Sequence, residues 1–126
     1  MQEFSPINEL EIALVEVRSG RLSMPEFMNV FIGSDLSVPS GSEVMANGDG
    51  FQPVLFDKNS VKMVACFTAM ERLGRIADLA PYCLTIKGME FLRRVPPGHG
   101  LVVNPGQSVG FDISPEGLSI IVKSFV

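Results

Sequence analysis

The stretch Leu101–Ile121, LVVNPGQSVGFDISPEGLSII, decides how this chain folds. Leu101, Val102 and Val103 form a short run of strand character. Asn104-Pro105-Gly106 then ends it. Proline presets φ for the first central position of a type II turn, and glycine tolerates the positive φ of the second. Val109, Phe111 and Ile113 alternate with Gly110 and Asp112, which predicts a strand with one apolar face. Ser114-Pro115-Glu116 has the order of a helix start: a capping hydroxyl, a proline at the first helical position and an acid near the positive end of the helix dipole. Leu118, Ile121, Val122 and Phe125 recur at helical spacing. The stretch therefore predicts a β-hairpin running into an amphipathic C-terminal helix.

Upstream, Pro96-Pro97-Gly98 halts a short helix carrying Met89, Phe91 and Leu92, because proline cannot continue helical hydrogen bonding. Tyr82–Ile86 before it is a strand. Thr68-Ala69-Met70-Glu71 has the form of a capping box and predicts a helix with Leu73, Ile76 and Ala77 inward, weakened by Gly74. Pro53–Phe56 and Val61–Phe67 are strands around the turn residues Asp57-Lys58-Asn59-Ser60. Residues 40–50 have loop composition, and Leu36–Pro39 is a short strand.

The N-terminal part predicts two helices. Ser5-Pro6 opens the first, with Ile7, Leu10, Ala13, Leu14 and Val17 as its apolar stripe and Gly20 as its stop. Ser23 and Glu26 form a capping box for the second, Met24 to Ile32, which directs Phe27, Val30 and Phe31 inward. The short link Gly20-Arg21-Leu22 makes the pair an αα-hairpin. The fold class is α+β: a single domain over residues 1–126, with this αα-hairpin, a mixed sheet of about five to six short strands with interspersed short helices, and a C-terminal helix.

With 126 residues and 46% apolar residues, the chain suffices for one core without a metal or disulfide staple. The net charge of −4 and the lack of a basic run weigh against nucleic acid and anionic membrane as partners. No apolar run reaches the length of a membrane span. MQEFSPINELE lacks the basic and apolar regions of a signal peptide, so a cytoplasmic location is expected.

Cys66 and Arg72 stand at the C-x5-R spacing of cysteine-dependent phosphatases, after a strand and before a helix. That chemistry needs loop amides and the arginine to hold an oxyanion while a thiolate attacks. The intervening Phe-Thr-Ala-Met-Glu has no glycine, and Glu71 would set an anion beside the bound anion. Cys66 is better read as a small core residue. Cys83 lies in a strand, and a Cys66–Cys83 metal pair lacks further ligands. His99, the single histidine, sits in a loop, and the glycines from Gly98 to Gly110 lack the phosphate-loop pattern. No catalytic, cofactor or metal residue is assigned. Ile12, Val15, Met28 and Ile32 lie off the core stripes and are the candidate surface for a protein partner or for self-association into a homodimer.

Taken in order, NELE, GRLSMPEF, DLSVPS, FQPVLF, VACFTAMERLGRIA, PYCLTIKGMEFL and PPGHGLVVNPGQSVGFDISPEGL resemble the SseB N-terminal domain family of bacteria, the enhanced serine sensitivity proteins. The resemblance spans about Asn8 to Ile121. It implies an α+β domain without established catalytic residues. The function it implies is that of a non-enzymatic interaction or regulatory module whose partner is not specified. A small-molecule or phosphoester enzyme using Cys66 and Arg72 is the alternative. Some members carry a second, C-terminal domain, which is not expected here. An unrelated secretion translocon component shares the family name; such proteins are helical and coiled-coil prone, whereas this chain has strand signals.

Overall fold

The computed structural model describes residues 4–124. Helix α1 is Glu9–Arg18 and α2 is Met24–Gly33. The cap of α1 is Asn8 and not Ser5: Asn8 Oδ1 accepts the Glu11 amide at 2.8 Å. Asn8 also donates through Nδ2 to the Thr68 carbonyl at 2.9 Å, a tertiary anchor that fixes the cap. The expected Ser5-Pro6 start thus lies ahead of the helix, and Ile7 is half exposed outside it. The capping box of α2 forms as expected, Ser23 and Glu26 satisfying each other's amides.

Among the described residues six strands follow: β1 Asp35–Ser40, β2 Leu55–Lys58, β3 Val61–Cys66, β4 Tyr82–Lys87, β5 Gly100–Val103 and β6 Phe111–Ile113. They are divided between two sheets. β1 and β4 form an antiparallel pair, and β2-β3-β5-β6 form a mixed sheet in which β3 and β5 run parallel. The α+β expectation is met, with the strands split between two sheets. The sheets meet where Ser37 and Phe67 exchange backbone hydrogen bonds at 2.9 and 2.8 Å. Asn59 and Ser60 both have positive φ, the conformation of a tight hairpin whose twist matches its strands.

Side chains alternate across the four-stranded sheet. Val64, Cys66, Leu101, Val103 and Ile113 belong to the main core with Leu14, Phe27, Phe31, Phe91 and Leu118. Phe27 meets Phe111 edge-on with ring centroids 5.3 Å apart. Ala65 and Phe67 belong to a second, smaller cluster with Leu73, against which Phe56, Ile76 and Val102 pack.

The segment after β3 differs from expectation. Met70–Arg72 is a 3-10 turn without a side-chain cap, and α3 is confined to Ile76–Leu79. Gly74 between them has φ +55°, which breaks the helix. Leu73 is buried, but Ala77 is exposed. The capping box fails because the Thr68 hydroxyl is engaged elsewhere, as described below. Strand β4 runs directly into α4, Gly88–Arg94.

The opening stretch is realised closely. Gln107 N donates to Asn104 O at 3.1 Å across a turn in which Gly106 has φ +84°. Helix α5, Pro115–Ser124, begins with Gly117 N donating to Ser114 Oγ at 3.0 Å. Leu118 is buried, and Ile121 and Val122 are half-buried against the core. Phe125, expected on the same face, lies outside the described residues. Among the described residues no helix is long and apolar enough to cross a membrane.

Candidate functional site

The densest convergence of polar side chains joins α1, the end of β3, the 3-10 turn and the end of β5. At its centre Glu11 is fully buried. Its Oε1 accepts the Ile7 amide at 3.0 Å and Arg72 Nη2 at 2.7 Å. Its Oε2 accepts Arg72 Nε at 2.9 Å and the Thr68 hydroxyl at 2.6 Å. This two-pronged arginine clamp is the strong form of ion pair. Arg72 also donates to Ser5 O at 2.5 Å and lies 3.9 Å from the centroid of the Phe4 ring, a cation–π contact.

Asn104 completes the group. Its Oδ1 accepts the Thr68 amide at 3.0 Å, while Nδ2 donates to Val109 O at 3.2 Å and to Thr68 Oγ1 at 2.9 Å. The Thr68 oxygen accepts from Asn104, so its one proton is directed at Glu11. Asn104 adopts φ +57°, a left-handed conformation that asparagine tolerates better than most residues. Thr68 and Asn104 are buried. Burial pushes the Glu11 carboxyl up, but the hydrogen bonds from Arg72, Thr68 and the Ile7 amide outweigh it and hold the group below the usual glutamate range. The hydrogen bond to Glu11 raises Arg72 in turn. Among the described residues no buried side-chain nitrogen or oxygen lacks a partner. The arrangement is an ionised, saturated clasp between distant segments.

Cys66 and Arg72 therefore serve separate environments. Cys66 is fully buried in the main core, and burial pushes its thiol far up, away from the thiolate a nucleophile needs. Arg72 is committed to Glu11. Cys83 is half-buried, and both cysteines are free thiols. His99 Nδ1 lies 3.2 Å from Pro97 O, and a carbonyl only accepts, so Nδ1 carries the proton. Among the described residues no group of three or more His, Cys, Asp or Glu is placed to hold a metal.

Of the four residues expected at an interaction surface, Met28 is withdrawn into the core. Ile12 is 50% exposed, whereas Met28 is buried. Val15 is half-buried, and Ile32 packs against the main core. Helix α2 contacts both α1 and α4, and this two-sided packing buries a wider arc than one stripe. Glu11, Thr68 and Asn104 escaped the sequence reading. One signal was present: Glu11 shares a helix face with Leu10 and Leu14, and an acid within an apolar stripe implies a buried partner.

The class so defined is a small α+β domain of two joined sheets, closed by an internal carboxylate–arginine clasp. The chain belongs to the SseB protein N-terminal domain family, whose model matches residues 10–119. That span includes all four residues of the clasp. Comparison with curated proteins and with solved structures gives no significant match.

Proposed function

We propose that the chain is a non-enzymatic module that acts by binding another protein, in the cytoplasm of a bacterium. The observation that carries this reading is the closure of the polar cluster. Glu11 is saturated by four donors from Ile7, Thr68 and Arg72, so its carboxylate is not free to act on a substrate. A working acid, base or nucleophile instead needs a group poised for exchange with the reactant. Burial of Cys66 supports the same reading against thiolate chemistry. Two unpaired cysteines suit a reducing compartment.

Self-association belongs to the same proposal. Of the four candidate surface residues, Ile12 retains half of its area in solvent and is the position to test. Affinity capture from the native cell, paired with light scattering, is the experiment. Recovery of a stoichiometric protein partner, or of a dimer that Ile12→Glu dissociates without unfolding, is expected. A monomer that captures nothing, together with a turnover activity abolished by Cys66→Ser, would overturn the proposal.

A further inference from the structure

The seam between the end of α4 and the exposed flank of α5 forms an open groove of about 420 Å³, within the size range of binding clefts. Pro115, Leu118, Ser119, Val122 and Lys123 recur at the spacing of one helix face, so α5 presents a continuous wall to it. Leu92 and Val95 supply the opposite side, and Pro96 and Pro97 stiffen its end. The floor is thus apolar and held by a turn with little freedom to lose.

The rim carries the information. Arg93, His99 and Lys123 line the groove, and no aspartate or glutamate does. Among the described residues neither Arg93 nor Lys123 has a carboxylate partner, as is also true of Arg18, Arg21 and Arg75, whereas Lys58, Lys62, Arg72, Lys87 and Arg94 each have one. Each sits in the last turn of its helix, where a cation complements the dipole. That accounts for their placement, and the rim still presents two cations with no acid between them. On a chain of net charge −4 the groove is a local inversion of sign. Two other grooves carry acids, Asp112 beside Arg18 in one and Glu9 with Asp35 in another, whereas the groove at Phe56, Leu73 and Arg75 carries none and has a single cation.

We propose that this groove docks a short acidic segment of a partner protein, one apolar side chain on the floor of Leu92, Val95, Leu118 and Val122 and flanking carboxylates met by Arg93 and Lys123. The proposal rests on the binding-module reading and names the chemistry of its partner.

The test uses a fluorescein-labelled octapeptide alternating glutamate with leucine. Two counterparts carry lysine for glutamate, or serine for leucine. Anisotropy and amide chemical shifts are read with the whole protein. Saturable binding is expected, with shifts confined to residues 92–99 and 115–123 and affinity falling as salt rises. Both positions are exposed, so the double variant Arg93→Glu, Lys123→Glu should retain the fold, checked by its amide spectrum, and weaken binding at least tenfold. The serine peptide should weaken comparably, and the lysine peptide should not bind. Absent saturation, indifference to the double variant, or equal binding of the lysine peptide would each overturn the groove. If that happens while affinity capture still recovers a partner, the module reading stands and the groove alone is refuted.

Discussion

Removing the arginine of the clasp should cost the protein a large part of its stability, with a diagnostic dependence on pH. Arg72→Ala deletes two hydrogen bonds to Glu11, at 2.9 and 2.7 Å, and the contact with Ser5 O. The Glu11 side chain has 0% exposure and that of Arg72 only 16%, so water cannot replace the lost cation without opening the structure. Breaking a buried pair from one side costs about 3–5 kcal/mol, because the remaining charge stays desolvated. For a chain of this size that is a fall in Tm of roughly 10–20 °C. In the intact protein Glu11 titrates below its unfolded value, so its contribution is present above pH ~4.3 and is lost as pH falls through the lower folded value. In Arg72→Ala burial is left opposed by fewer partners, so the carboxyl moves upward and its protonation relieves the folded state. The stability gap between the two proteins should therefore be widest at neutral pH and shrink as pH falls through the variant's raised Glu11 value toward the lower value of the intact protein. Urea denaturation of both proteins from pH 7 to pH 3 measures it. A gap under about 1 kcal/mol at pH 7, or one that does not change with pH, would refute a charged and clamped Glu11. Replacing both partners, Glu11→Leu with Arg72→Met, should recover most of the loss.

Three further outcomes are expected. Asn104→Ala should cost about 2–3 kcal/mol by unfolding titration, because it orphans the Thr68 amide and places alanine at positive φ; Asn104→Gly should recover only the backbone part. Cys66 should resist a thiol reagent in the native protein and react fully after denaturation, with Cys83 intermediate. Since burial raises both thiols, their stabilising effect should hold below about pH 8.5 and be lost as pH rises further. Gly88→Ala should destabilise by at least about 2 kcal/mol, as its Cβ would lie 2.1 Å from the backbone oxygen of Phe31. Gly33→Ala, which meets nothing within 4 Å, should be neutral or mildly stabilising in thermal melts.

What could be read before any coordinates were seen divides by the range of the interaction. Asn104-Pro105-Gly106, Ser114-Pro115 and Ser23 with Glu26 form turns and caps whose partners lie within three residues, and each was foreseen in place. Thr68 with Glu71 has the same local form and failed, because the Thr68 hydroxyl bonds Glu11 and Asn104, 57 and 36 residues away. Asn8 displaced Ser5 as cap for the same reason, its amide being held by the Thr68 carbonyl. Met28 was misplaced because α2 packs on two sides. The division of the strands into two sheets follows from β4 pairing with β1 across the chain, which no local pattern announces.

The clasp also bears on how the chain reaches this state. Glu11 meets Arg72 and Thr68 only after segments 61 and 57 positions apart in sequence have been brought together. Until β3 and β5 are paired there is no cation to receive it, and a carboxylate does not leave water alone. Late docking of α1 avoids that penalty, and on such a route its polar side chain contributes after the rate-limiting step. Changes at Glu11 or Arg72 should leave the rate of folding nearly untouched and appear as faster unfolding. On that route the clasp sets how long the domain stays folded rather than how fast it gets there.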